Sequence, residues 1–365
     1  MRIARHLVAL GSVSRAAARA YGGGGVRAAR IAWGVHRRQG FEYAEALRVG
    51  ALDPALSEGA RARFVSRHAS LDAQAPLNGG NEVPAITGDK AVFYRYCGAL
   101  GIPVPELLGI LDTRGSGWGA PCRVLAGPAD LAAWVAEDLP DEFVVKPSEG
   151  YAGKGVRLVG RAGGGALLVN GRRQTAAALW DELRRDPEFP VWIVQERLVN
   201  HPDLARMGGP QSLHGVRIAT IVGRDGEPRV LFAMLKLALS GGASDNFLGG
   251  STGNAIAEVD PATGRLGPLT LPRDGPAGFR GLADNPLTGE PVEGRTLPHW
   301  QAACALVLDA APHFLPARAL GWDVALTPRG PVILETNIRW LPLPFPSMRS
   351  VLDQLIAEGA PQARA

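Results

Sequence analysis

The segment Gly321-Trp-Asp-Val-Ala-Leu-Thr-Pro-Arg-Gly-Pro-Val-Ile-Leu-Glu-Thr-Asn337 constrains the fold of this chain more than any other. Its middle, Thr327-Pro-Arg-Gly-Pro331, has the composition of a turn. Apolar, strand-forming residues on either side predict strands at 322–326 and 331–335, and so a hairpin. Centred on Arg329, that hairpin places Asp323 six residues before its centre and Glu335 six after it. The two carboxylates would then face each other with Cβ atoms about 5 Å apart. The strand period of two puts Asn337 on the same face as Glu335. Opposed carboxylates destabilise a sheet unless a cation lies between them. Two carboxylates and an amide suit Mg²⁺, which commonly takes one or two carboxylates together with substrate phosphates. The alternative is an exposed hairpin whose acids never meet, and flanking Trp322, Val324, Val332 and Leu334 speak against it.

Of the 39 lysines and arginines, only Lys90, Lys146, Lys154 and Lys236 are lysine. Where charge alone is needed this chain uses arginine. A lysine therefore marks a place suited to a compact ammonium and not to a planar guanidinium, unless these four are leftover surface residues. Lys146 ends the strand pattern 143–146, and its stem can lie along the sheet with the ammonium over a phosphate. A loop with Ser148, Gly150, Gly153, Lys154 and Gly155 follows, and a second strand is predicted at 156–159. Glycines there let the backbone approach a polyphosphate and aim N–H groups at it, with Lys154 as a mobile charge at the tip. A Walker A loop is excluded, because Ser148 and Gly155 stand where its glycine and its hydroxyl residue belong. A G-x-G-x-x-G fingerprint fails at Leu158. An ordinary hairpin turn is the simpler alternative.

Strands are also predicted at 191–194, 216–222 and 229–239, and helices from Asp89 to before Gly101, from Pro128, at 174–185 and at 300–311. Strands crowd residues 140–260 with helices between them, which favours α+β over a doubly wound parallel sheet. Residues 1–75 read as helical, with breaks at the glycines 22–25 and near Asp53-Pro54; 76–89 read as a linker and 115–119 as a turn. Domains are expected at 1–75 (a basic helical region), 76–195 (a first lobe with the glycine loop), 196–350 (a second lobe with the Mg²⁺ hairpin) and 351–365 (a tail).

The net charge of +4 is uneven: residues 1–68 hold twelve arginines against four acids. Such a front end suits an acidic partner or a membrane surface, or is merely an exposed helical face. Cys97, Cys122 and Cys304 have no metal spacing and an odd count, which excludes a disulfide framework and suits a cytoplasmic protein. No apolar run reaches the length of a membrane span. Aromatic residues, 6% of the chain, do not alternate with a basic stripe, so no nucleic-acid platform is expected. Trp33, Trp118, Trp180 and Trp300 are expected in the core.

A strand lysine, a glycine-rich hairpin and a D…E-x-N hairpin, in that order, resemble the ATP-grasp superfamily. Asp89-Lys90, Gln195-Glu196 with His201-Pro202, Gly215-Val-Arg217, Asp245-Asn246-Phe247 with Gly249-Gly250, and Gly321-Trp-Asp323 are similar to its sugar-transfer-associated branch. The resemblance covers roughly residues 76–345. It implies two α+β lobes enclosing ATP, with a helical N-terminal extension. It further implies Lys90 and Lys146 on ATP phosphates, the loop 148–155 closing over them, and Gln195, Glu196 and Leu198 at the adenine. Asp203, seven residues beyond Glu196, is within reach of a ribose hydroxyl. Asp323, Glu335 and Asn337 would hold Mg²⁺. Arg217 and Lys236 would face the transferred phosphoryl group, and Asp245 and Asn246, preceded by Gly241-Gly242, would line the acceptor pocket, unless they form a capped surface turn. His214, Lys236 and the tail Ile338-Arg339-Trp340 depart from the family pattern.

The expected reaction is Mg-ATP-dependent joining of a small-molecule carboxylate to an amine or hydroxyl through an acyl phosphate, in polysaccharide, glycoconjugate or natural-product assembly. A kinase acting on a small-molecule hydroxyl and a non-catalytic nucleotide-binding module are the alternatives.

Overall fold

The computed structural model describes residues 2–79, 84–114, 122–137, 139–150, 153–209, 212–239, 245–273, 275 and 277–360. The expected turn at 115–119, Trp118, Gly241-Gly242 and the last five residues of the tail lie outside them.

The first sheet is built from β1 (Leu107–Asp112), β2 (Arg123–Leu125), β3 (Glu142–Pro147), β4 (Arg157–Ala162), β5 (Ala166–Val169), β6 (Arg172–Thr175) and β7 (Val191–Glu196). Their order is β2-β1-β7-β3-β4-β5-β6; β1 and β2 run parallel and the other neighbours antiparallel. Helices Pro128–Glu137 and Ala176–Arg184 close one face of it. Their Leu131, Trp134, Leu179 and Trp180 pack with Phe143, Val145 and Trp192 of the strands.

The second sheet holds β8 (Gly215–Val222), β9 (Pro228–Leu237), β10 (Ala255–Val259), β11 (Leu266–Pro272), β12 (Phe279–Leu282), β13 (Ala319–Thr327) and β14 (Gly330–Asn337), in the order β12-β11-β10-β9-β8-β13-β14. All nine residues of β13 are buried, because both faces of this sheet are covered. One face takes helix Trp300–Ala310 together with Phe93 and Tyr94 of helix Lys90–Ala99. The other takes helix Met348–Gly359 with Val65, Ala73 and Leu77. Helices Arg2–Tyr21, Gly25–Gln39 and Tyr43–Arg48 form a separate small core around Val13, Ala32, Val35 and Phe41. The molecule is thus α+β with two sheet-based lobes and a helical N-terminal region. No described helix is long and apolar enough to cross a membrane.

The terminal hairpin reaches the expected pairing by an unexpected route. Its turn holds two residues, Pro328 and Arg329, since Thr327 pairs with Gly330 and Val324 with Ile333. Continued unbroken, that register would set Asp323 against Leu334. A bulge at Leu334 inserts one residue, and Asp323 pairs with Glu335.

Other expectations are corrected. Residues 76–89 are no plain linker: a 3₁₀ turn spans Ala75–Leu77 and a helix spans Pro84–Gly88. The segment 174–185 begins as the end of β6 before its helix starts at Ala176. Trp33 is 42% exposed, whereas Trp180 and Trp300 are buried.

Close packing sets one stability prediction. A Cβ added at Gly109 in β1 would lie 2.6 Å from Trp134 Cη2 and 3.0 Å from the Arg123 carbonyl. Gly109→Ala is expected to cost about 1–3 kcal/mol. Gly163→Ala, with open space around it, should stay within about 0.5 kcal/mol of the parent. Chemical denaturation of both variants measures the difference.

Candidate active site

Adjacent strands β9, β8, β13 and β14 carry Lys236, Arg217, Asp323 and Glu335 in a connected row. Arg217 is the register partner of Asp323, and Asp323 of Glu335. The Arg217 guanidinium donates from Nε to Asp323 Oδ1 at 2.7 Å and from Nη2 to Oδ2 at 2.8 Å, a bidentate pair. Lys236 Nζ stands 3.2 Å from Asp323 Oδ1 and 3.2 Å from Asp245 Oδ1. A compact ammonium fits between two carboxylates that the Arg217 fork could not serve together. Asp245 also accepts the Gly215 N–H at 2.7 Å.

Burial alone would raise the Asp323 carboxyl, but Arg217 and Lys236 outweigh it and hold that group well below the usual carboxylate range. Burial likewise opposes the Lys236 charge, yet Asp245 and Asp323 prevail and raise its pKa. The hairpin's opposed carboxylates therefore need no metal to coexist. Arg217 and Lys236 compensate Asp323, and Lys90 Nζ lies 3.6 Å from Glu335 Oε2.

The facing wall comes from the first lobe and the helix beside it. Lys146, in β3, donates from Nζ to the Tyr94 hydroxyl at 2.9 Å. That hydroxyl lies 2.9 Å from Gln195 Oε1 and 3.0 Å from the Leu334 carbonyl, with one proton to donate between them. Burial, and then Lys90, push the Lys146 ammonium down to about 7. Helix Lys90–Ala99 is capped by Asp89, whose carboxylate also accepts from Ser148 Oγ at 2.5 Å. Lys90 donates through its backbone N–H to the Ser148 carbonyl at 2.8 Å and through Nζ to the Gly150 carbonyl at 2.9 Å. The base of the glycine loop is thereby latched to a helix N-terminus. At Gly155, φ is 76° and a Cβ would meet Pro147 Cγ at 2.8 Å, so this close approach requires glycine. Lys154 pairs with Glu188 and lies 5.6 Å from the centre of the Phe189 ring.

These groups line a cleft with about 720 Å³ of empty space, continuous with solvent. All four lysines of the chain reach it, with Gly150, Gly153, Asp245, Asn246, Asp323 and Glu335. Other expected site residues lie behind or beside that lining. Ser148 and Gly155 support the loop, and Arg217 stands behind Asp323. Gln195 is bonded to Tyr94, while Glu196 accepts from the Glu106 N–H and from Arg329, and Leu198 is buried. Asp203 is not brought to the cleft: it sits in helix Pro202–Gly208 and pairs with Arg206. His201 caps that helix through its ring nitrogen. His214 is buried, with Nε2 2.8 Å from the Gly209 carbonyl. Trp340 packs over Gly321, where a Cβ would come within 3.0 Å of its ring.

Sequence reasoning missed Tyr94, Leu213, Val156 and Leu334, which also shape the site. Tyr94 follows Lys90 by four residues on one helix, a spacing that places both on one face.

Among the described residues no group of three or more His, Cys, Asp or Glu is gathered for a metal ion. The oxygen donors present are Asp323, Glu335 and Asn337. Both Asp323 oxygens already accept from Arg217, so it would reach a cation only by sharing one of them. Glu335 has Lys90 at 3.6 Å, and Asn337 Nδ2 lies 3.4 Å from the Gly321 carbonyl and 3.5 Å from Glu335 Oε1. An oxygen-only pair beside a lysine-lined cleft suits Mg²⁺ with phosphate oxygens completing its shell.

The Lys146 environment yields a signed prediction. An anion such as inorganic tripolyphosphate should raise the Lys146 pKa from about 7. The complex then binds more protons than the free protein. Affinity should therefore fall as pH rises above 7, by up to about tenfold per unit. Calorimetry in buffers of different ionisation enthalpy should show proton uptake, abolished in Lys146→Met.

A family model described as sugar-transfer-associated ATP-grasp matches residues 69–355. No curated protein matches the chain by sequence. Among solved structures the chain is similar to an ADP complex of purK, an N5-carboxyaminoimidazole ribonucleotide synthetase. Identity there is 15%, with 73% of this chain and 48% of that chain covered, at a TM-score of 0.40. It is similar to a RimK domain ATP-grasp protein from Sphaerobacter thermophilus at 15% identity, 77% and 70% coverage, and a TM-score of 0.39. A D-alanine–D-alanine ligase from Helicobacter pylori shows 9% identity, 78% and 62% coverage, and a TM-score of 0.42. The chain thus spans about half of the first of these structures. TM-scores under 0.5 add nothing to the family match. With two α+β lobes around one cleft and a match over 69–355, the chain belongs to the sugar-transfer-associated ATP-grasp family.

Proposed function

We propose that this protein is an Mg-ATP-dependent ligase that activates a small-molecule carboxylate as an acyl phosphate and passes the acyl group to an amine or hydroxyl. One observation carries the reading. The only four lysines of an arginine-rich chain converge on one cleft, beside the Asp323–Glu335 hairpin. With Arg217 behind Asp323 and Glu188 paired to Lys154, five basic groups stand against four carboxylates, an excess that suits a polyphosphate.

In this reading Lys90 and Lys146 hold the phosphates, and the loop 148–155 covers them with backbone N–H groups. Gln195, Glu196 and Leu198, at the end of β7, border the adenine. Glu335 and Asn337 would hold Mg²⁺, whose charge offsets that of the phosphates. The substrate carboxylate oxygen attacks the terminal phosphorus and ADP leaves with the bond's electron pair. The amine or hydroxyl then attacks the acyl carbon, loses its proton and displaces phosphate. Lys236, fixed by Asp245, faces the developing negative charge, and Arg217 adds its charge from behind Asp323. Such preorganised charge is the main source of rate in phosphoryl transfer. Asp245 and Asn246 border the acceptor side. The sugar-transfer association of the family favours polysaccharide or glycoconjugate assembly over other natural products.

ADP release screened over paired acids and acceptors, with hydroxylamine present, tests the reading. A ligase gives a hydroxamate and loses about a hundredfold or more of its turnover in Glu335→Ala. A stable phosphoester product instead means a kinase. ADP release that Glu335→Ala leaves unchanged removes the catalytic reading of this cleft.

A further inference from the structure

Residues 1–41 contain eight arginines and not one aspartate or glutamate. In the structure this stretch is chiefly a pair of helices, Arg2–Tyr21 and Gly25–Gln39, that pack on each other and bury Val13, Ala17, Ala28, Ala32 and Val35 between them and the following segment. Their outer faces keep the arginines. Arg5, Arg15, Arg19, Arg30 and Arg37 are exposed, and none forms an ion pair among the described residues. Elsewhere this protein pairs exposed arginines freely, as with Arg229 and Asp225 or Arg349 and Asp353. The absence of acids here leaves a concentrated positive field.

The same faces expose large apolar side chains, which ordinary solubility does not require. Leu7 is 60% exposed, Val8 71%, Val26 78% and Trp33 42%. Val26, Arg30, Trp33 and Arg37 follow one another at intervals of four, three and four, a single stripe along the second helix. Trp33 stands edge-on to His6 of the first helix at 5.3 Å, where the two helices meet. Arginine for anionic headgroups, with aliphatic and indole side chains interleaved, is the composition of a surface that lies on a lipid interface.

We propose that this acid-free helical pair docks the protein on a membrane surface bearing anionic lipids, with Val8, Val26 and Trp33 entering the headgroup region between the arginines. A nucleic-acid backbone would satisfy the arginines but offer the exposed valines no apolar phase, whereas a lipid interface serves both. None of the residues it uses lines the lysine cleft, so it stands or falls independently of the ligase reading.

The test is co-sedimentation of the full chain with vesicles. One set is phosphatidylcholine alone, and the other has about a quarter of its lipid as phosphatidylglycerol. Binding is expected to the anionic vesicles only and to weaken with salt. The variant R15Q/R19Q/R30Q/R37Q should lose about tenfold or more in partitioning. V8S/V26S should lose several-fold, with unchanged thermal unfolding and unchanged nucleotide binding for both variants. Failure to bind anionic vesicles, or binding unaltered in the arginine variant, overturns the proposal. So does tight binding to a soluble polyanion, such as heparin, combined with undiminished vesicle partitioning by V8S/V26S. That pair of results points to an acidic macromolecule.

Discussion

The second lobe is organised by a buried carboxylate gripped by two cations. Asp323 has surrendered its water, a cost of several kcal/mol that only close opposite charge repays. Arg217 on the neighbouring strand supplies two short bonds, and Lys236 a third contact. Lys236 in turn fixes Asp245, and Asp245 fixes the start of β8 through the Gly215 N–H. This chain of charges ties β9, β8, β13 and the segment after β9 into one arrangement. Removing one member leaves its partner buried and uncompensated. The strands that build the sheet are therefore also the strands that orient the cations of the cleft.

The first lobe contributes charge that is poorly compensated. Lys146 is half-buried, has Lys90 for a neighbour, and finds a neutral hydroxyl, Tyr94, as its hydrogen-bond partner. A lysine pushed to about 7 is a group whose charge is fully restored only when an anion arrives. Tyr94 links this lysine to Gln195 in β7 and to the carbonyl of Leu334, the bulge residue of the terminal hairpin. Both walls of the cleft thus meet at a single hydroxyl. The Ser148–Asp89 and Lys90–Ser148 bonds hold the glycine loop at the same place.

Much of this was legible in the residues themselves. The scarcity of lysine marked four positions, and folding brings all four to one cleft. Counting from Arg329 paired Asp323 with Glu335, but through a symmetric turn that does not exist. A tighter turn and a bulge at Leu334 cancel, and bulges leave no reliable sequence signal. The strand Leu107–Asp112 was not anticipated, because Leu-Leu-Gly-Ile-Leu-Asp lacks the β-branched alternation that marks strands. Trp33 was expected inside on residue type alone, whereas its place on the outer stripe follows from the helix period. Charge compensation within the hairpin was also hidden, since Arg217 and Lys236 come from strands about ninety to a hundred residues earlier in the chain.

The central claim is that a compact ammonium at position 146 pins a triphosphate across the cleft from the terminal hairpin. Nucleotide affinity of Lys146→Arg, measured by calorimetry with Mg-ATP, tests it most directly. The charge is retained, but a planar guanidinium does not reproduce the compact ammonium's place against the Tyr94 hydroxyl, so affinity should fall by about tenfold or more with the fold intact. Affinity equal to that of the parent protein would contradict the account.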